Sequence, residues 1–369
     1  IMSRKNITRR GVIKSGVATS VALAAPTIWI PKIEASQTVN VWTYANFIPK
    51  DFKREFENET GIRIRERLVD DQGKEFNLLA AEKNNPTADI CTVAGHRFGQ
   101  FIDSELLAPL DVSRLKNWST VNKVYSESDW SVVNGKKWGV PILSGAEVMG
   151  YNSEIVSKEE ARSWDIMFSE KYKGQTALIL QDMMSIVMLY LGYDGNMVAY
   201  LNNPAKAKAI VNEARDFLIK HKNKVRKYYD SGAEIQQMLI NQDVVVCHAW
   251  SGSISKLIMD GFPAEMTIPK EGSYGFIYCY NIANNGPNPD NAYKFLDALL
   301  ARPEIGANMT KASGYISTFK GSAKYLTDLE KRTSSFTEEE LEGLQFFRAE
   351  ANKMKYSLVD PAVEVIKAA

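Results

Sequence analysis

The sequence is short of the residues that most often carry chemistry. It has only three histidines and three cysteines in 369 residues, with no CxxC pair and no metal-ligand spacing among them. His96 stands before Arg97, His221 falls in a basic helical run and His248 in an apolar strand-like run, so none has the partners a metal would need. No phosphate-binding glycine loop or dinucleotide fingerprint is present, and Ser251-Gly252-Ser253 is not the G-x-S-x-G elbow of a hydrolase. These gaps argue against a metal site, a cofactor and catalysis. Cys91, Cys247 and Cys279 each lie in a β-prone apolar run and read as buried free thiols, with one disulfide open in an oxidising compartment.

A basic excess is also missing. The formal charge is +1, and residues 1–36 hold six bases and one acid. Without that segment 39 bases face 43 acids, a net of −4, which is not the footprint of a nucleic-acid-binding protein. No internal repeat and no linker rich in Pro, Gly or Ser divides the chain. What is there, 45% hydrophobic and 24% charged residues, is the composition of a soluble globular protein long enough for two domains.

The first 36 residues read as an address. Thr8-Arg9-Arg10-Gly11-Val12-Ile13-Lys14 sets a twin arginine ahead of a weakly apolar stretch that runs to Ala25 and is too short to span a membrane. It resembles a twin-arginine export signal, with Val12 where phenylalanine is commonest. Cleavage is expected near Ala25 or Ala35, and a periplasmic protein follows from it.

From Thr38 the pattern is strand, helix with Phe52 and Phe56 on one face, and strand, which is the unit of a parallel sheet. A second helix over Lys74–Lys83 precedes the buried strand ADICTVAG. The strand KKWGVP should end at Pro141, since proline cannot continue a central strand, and residues 141–146 are the expected first crossing between two lobes. A second set of strands and helices follows, and FIYCYNIA (residues 276–283) should cross back. Residues from Thr337 to about Met354 read as a final helical region packed on the second lobe.

The ordered set WTYANFIPKDFKREFENETGIRI, ADICTV, LLAPLD, KKWGVP, SWDIMFSEKYKG, AWSGS, IPKEG and RPEIGANMTKASGY resembles the periplasmic solute-binding proteins of ABC transporters, most of all their spermidine/putrescine-binding branch. The resemblance implies an α/β, two-lobed periplasmic-binding-protein fold of type II, with the ligand cleft between lobes joined by crossing strands. Lobe 1 would be residues 37–144 with 279–322, and lobe 2 residues 145–278 with 323–369. It implies no enzyme and no cofactor; the partners are a small amine solute and a permease in the inner membrane, and the protein is expected to be a monomer that binds no nucleic acid.

The same resemblance carries a ligand site onto Trp42, Thr43, Tyr44, Asp182, Trp250, Phe276 and Tyr315, with Ser185, Ser253 and Tyr278 where polyamine receptors usually place acids. His96 and Arg97 occupy the expected first-lobe cleft loop, and a cation there would repel a diamine. Aromatic faces attract a cation by roughly 0.5 to 2 kcal/mol and one carboxylate supplies the counter-charge. The aromatics would serve equally as core, and Asp182 as a helix N-cap. Asp182 alone among the clasping acids points to one ammonium rather than two; acids outside that pattern, Glu147 or Asp360 for instance, would restore the polyamine reading if they lined the cleft. The alternatives are the same fold binding a zwitterion, a small anion or ferric iron held by Tyr278 and Tyr280, and an exported hydrolase.

Overall fold

A computed structural model of the chain describes residues 37–69, 71–127 and 132–369. The expected export signal lies outside them. In order, β1 (Thr38–Thr43), α1 (Lys50–Thr60), β2 (Arg63–Leu68), α2 (Gln72–Ala81), β3 (Ile90–Ala94) and α3 (Phe98–Asp103) form a βαβαβα run. The short α4 (Lys123–Ser126) and the hairpin β4 (Val132–Val133) and β5 (Lys136–Lys137) lead into β6 (Gly139–Asn152). Then come β7 (Thr176–Leu178), α5 (Leu180–Tyr190), α6 (Pro204–His221), β8 (Val225–Tyr228), α7 (Gly232–Ile240), β9 (Val246–Trp250), α8 (Ser251–Met259) and β10 (Ala264–Thr267). The chain closes with β11 (Ser273–Ile282), α9 (Pro289–Leu299), α10 (Pro303–Ser313), β12 (Ile316–Ser317), α11 (Asp328–Thr333), α12 (Glu338–Glu342), β13 (Leu344–Phe346) and α13 (Asn352–Ala368).

The main sheet runs β2-β1-β3-β11-β6-β9-β7-β8. Parallel trios at its two ends, β2-β1-β3 and β9-β7-β8, are joined by the antiparallel pair β11 and β6. This is the two-lobed α/β fold, and both long strands belong to both halves. Residues 139–146 of β6 pair with β11, and from Glu147 onward β6 pairs with β9.

Helix α1 shows how the sequence fixes a local element. Phe52 and Phe56, one turn apart, are its only buried residues, and both rings meet Phe295 of α9 at 5.5 and 5.8 Å between centroids. Burying each ring contributes about 1.5–3 kcal/mol. Gly61 ends the helix at φ 69°, its N–H reaching the Glu57 carbonyl, a left-handed conformation that glycine enters without a Cβ clash.

Two expectations need correction. β6 does not stop at Pro141 but passes through it with all 14 residues buried. The ladder to β11 slips at that point, with Tyr278 opposite Leu143 and Cys279 opposite Pro141, so Ile142 is an extra residue. A bulge is where a central strand tolerates a residue without an N–H. The C-terminal region, read as helical from Thr337 to about Met354, is interrupted by a strand: it is α12, the three-residue β13 parallel to the start of β11, and α13 from Asn352. Cys91, Cys247 and Cys279 are buried and unpaired.

Candidate functional site

The carboxyl ends of parallel strands in both halves deliver side chains to one region, as open α/β sheets generally do. β1 is followed by Tyr44 and Phe47, β3 by His96 and Arg97, β7 by α5 with Asp182 in its first turn, and β9 ends on Trp250. The crossing strands add Glu147 from β6 and Phe276 and Tyr278 from β11.

Five rings gather here. Tyr278 lies 5.3 Å from Tyr44, 5.2 Å from Phe47, 5.3 Å from Phe276 and 5.7 Å from Tyr315, centroid to centroid. Burial raises the pKa of both the Tyr278 and the Tyr315 hydroxyl. The Tyr44 hydroxyl accepts from the Gln72 amide at 2.8 Å. Gly145, at the middle of the crossing strand, leaves room for the rings, since a Cβ there would come within 2.7 Å of Tyr315 and 2.8 Å of Phe276.

Beside the rings stands a pair of buried carboxyl groups. The Trp250 indole N–H donates to Asp182 Oδ2 at 3.2 Å, and Glu147 lies within hydrogen-bond reach of Asp182. Burial raises the Glu147 pKa well above the ordinary carboxylate range, and the adjacent Asp182 charge raises it further. Asp182 is also raised by burial, but Arg97, Lys355, the Trp250 indole and Glu147 all oppose that rise. Of the two, Glu147 is thus the carboxyl that holds a proton more readily and Asp182 the one that ionises more readily. Glu147 Oε2 is 2.8 Å from His248 Nε2, but the two are poorly aligned, and burial pushes the His248 pKa down to about 3. The contact is between neutral groups rather than an ion pair.

Two cations complete the region. Arg97 is 9% exposed with its guanidinium 4.0 Å above the Tyr356 ring, and Lys355 is 2% exposed with its ammonium 4.5 Å from the Phe347 ring centroid. The charges of both act on Asp182. His96 packs its ring on Phe347 at 5.0 Å, and burial, Arg97 and Lys355 lower its pKa well below the usual histidine range, so it is neutral.

The sequence-derived site therefore divides. Tyr44, Asp182, Trp250, Phe276, Tyr278 and Tyr315 come together, and Ser185 lies one turn beyond Asp182 on α5 with its buried Oγ unpartnered. Trp42 and Thr43 do not join them. The Trp42 ring packs with Leu79, Phe98 and Phe101 under the Arg67 guanidinium, and Thr43 Oγ1 lies 3.1 Å from the Tyr280 hydroxyl in the core. Ser253 is buried at the start of α8, its carbonyl accepting from Gln236. Tyr280 packs against Phe295, away from the five rings. Asp182 does not cap α5, whose N-cap residue is Ile179. Phe47, Glu147, Phe347, Lys355 and Tyr356 are additions that sequence reasoning did not place. A lone acid in an otherwise apolar 14-residue run was the one available signal for Glu147. Among the described residues no group of three His, Cys, Asp or Glu side chains gathers as a metal site would.

The sequence matches the family described as "Bacterial extracellular solute-binding protein" over residues 51–336. It is 26% identical to the putrescine-binding periplasmic protein PotF of Escherichia coli (strain K12) over 321 residues, 80% of this chain and 82% of that one. It is 24% identical to a putrescine/agmatine-binding protein of Pseudomonas aeruginosa over 312 residues, 80% of each chain. A putative spermidine/putrescine ABC transporter structure from Listeria monocytogenes superposes with a TM-score of 0.78 at 22% identity, covering 90% of this chain and 99% of that one. The chain belongs to the bacterial extracellular solute-binding proteins and has their two-lobed periplasmic-binding-protein fold.

Proposed function

We propose that this protein is the periplasmic solute receptor of an ABC transporter, capturing a small amine between its lobes and passing it to the membrane permease. The observation that carries the reading is the buried Glu147–Asp182 carboxyl pair, tied to the Trp250 indole and set beside five aromatic rings. Such a pair with one negative charge balances one ammonium, and the ring faces add attraction to the same charge. The putrescine- and agmatine-binding relatives support an amine as the solute class. The lobes are residues 37–144 with 279–322 and residues 145–278 with 323–369; closure by hinge motion around the solute is the behaviour that fits their shared strands. The receptor acts as a monomer and without catalysis, and its twin-arginine segment exports it already folded.

The clasp is for one ammonium. A second buried ammonium without a partner would cost several kcal/mol, more than the rings return. A small monovalent amine is expected to bind better than spermidine, and Asp182→Asn should weaken it more than tenfold, about 1.4 kcal/mol. Calorimetry with both solutes on the wild type and the variant is the test. Submicromolar spermidine binding that survives Asp182→Asn would overturn the single-ammonium clasp.

A further inference from the structure

Arg97 and Lys355 are at odds with a site built only for a cation. Each is nine-tenths buried or more, and neither side chain makes a hydrogen bond or an ion pair to a described residue. Their contacts are ring faces, Tyr356 beneath Arg97 and Phe347 and Tyr356 near Lys355. Burying a cation is costly, and two side by side repel each other; the Asp182 charge favours the charged form of both, but no described carboxylate pairs directly with either. They come from separate parts of the fold, Arg97 from the turn after β3 and Lys355 from α13, so no single local constraint forces the pairing. His96 Nδ1, on the residue before Arg97, and Ser185 Oγ, one turn beyond Asp182 on α5, are buried with no hydrogen-bond partner. The region thus offers two positive charges and unused polar atoms on the side of Asp182 opposite in character to the aromatic clasp.

We propose that the solute is a zwitterion whose carboxylate is held by Arg97 and Lys355 while its ammonium is held by Asp182, Glu147 and the rings. This rests on the amine-receptor reading and narrows it to amine-bearing carboxylic acids. An incoming carboxylate takes the bidentate face of the guanidinium and the ammonium of Lys355, and Ser185 can donate to it. A diamine would put its second ammonium against two fixed cations instead. Discrimination comes from both the attraction and this repulsion.

The test is a calorimetric comparison at pH 7 of unbranched ω-amino acids of three to six carbons, each with the monoamine and the diamine of the same length. At least one amino acid should bind tenfold or more tightly than both of its matched amines. Arg97→Met should reduce that preference to less than threefold, and Arg97→Lys should restore part of it, a pattern that a merely structural arginine would not give. If at every length a monoamine or diamine binds as tightly as its amino acid, the carboxylate subsite is wrong while the amine receptor stands. If no member of any set binds the wild type, the amine reading itself fails.

Discussion

Lys355→Met should make the protein without solute more stable, because the lysine is held in a place that suits an uncharged chain. Its ammonium is buried, lies 4.5 Å from the Phe347 ring centroid and makes no ion pair with a described residue. Burial is the main cause that lowers its pKa from the ordinary 10.5 to about 8, with Arg97 adding to the effect and Asp182 resisting it. A displacement of that size corresponds to roughly 3 kcal/mol of preference for the neutral amine. Methionine has similar length and no charge; it forfeits a cation–ring attraction of about 0.5 to 2 kcal/mol. The net gain at pH 7 is then about 1–3 kcal/mol. The sign with pH follows from linkage. The unfolded chain binds the extra proton between about pH 8 and 10.5, so the wild type recovers stability as pH rises through that window, and below it the penalty is present in full. Urea unfolding of both proteins from pH 7 to 10.5 follows this group through its own window. The variant should be ahead at pH 7, and the gap should close toward pH 10.5. A variant less stable at pH 7, or a gap that does not change with pH, would refute the account of Lys355 as an uncompensated charge.

Gly145→Ala places a methyl within 3 Å of both the Tyr315 and the Phe276 rings. Overpacking of that kind costs about 1–3 kcal/mol, which denaturant titration would register, and an unchanged midpoint would mean that the rings yield freely. Changing Arg9 and Arg10 together to lysine should stop export; normal periplasmic accumulation in a host whose general secretory route is blocked would count against the twin-arginine reading.

The sequence was most legible where one face of an element is buried and the other is wet. Phe52 and Phe56 mark α1 for that reason, and each is buried as the spacing requires. It was least legible where both faces are buried. β1 is covered on both sides, so the alternation that would tell a cleft-facing residue from a core one is absent, and Trp42 was read as lining the site when it packs under Arg67. The same holds for β6, where Glu147 is hidden inside an unbroken buried strand and where a bulge rescues Pro141. β13 could not be read at all, because three residues gain their identity only from β11, some seventy positions earlier. Lys355 lies just past the expected helical region, and α13, which carries it, packs against α3, α5 and α6, contacts that no local pattern announces.

The order of the strands also sets a schedule for the growing chain. β3 can complete its ladder only with Tyr278–Ile282 of β11, about 190 residues further on. Until those residues have been made, the first three parallel strands have an open edge, and the helices around them cover an unfinished core. Pairings at such separation are slow to form, because a long loop must close before any contact rewards it. The segment from β1 to β3 is therefore among the last to reach its final state, and a chain truncated anywhere before β11 lacks the strand that joins β3 to β6.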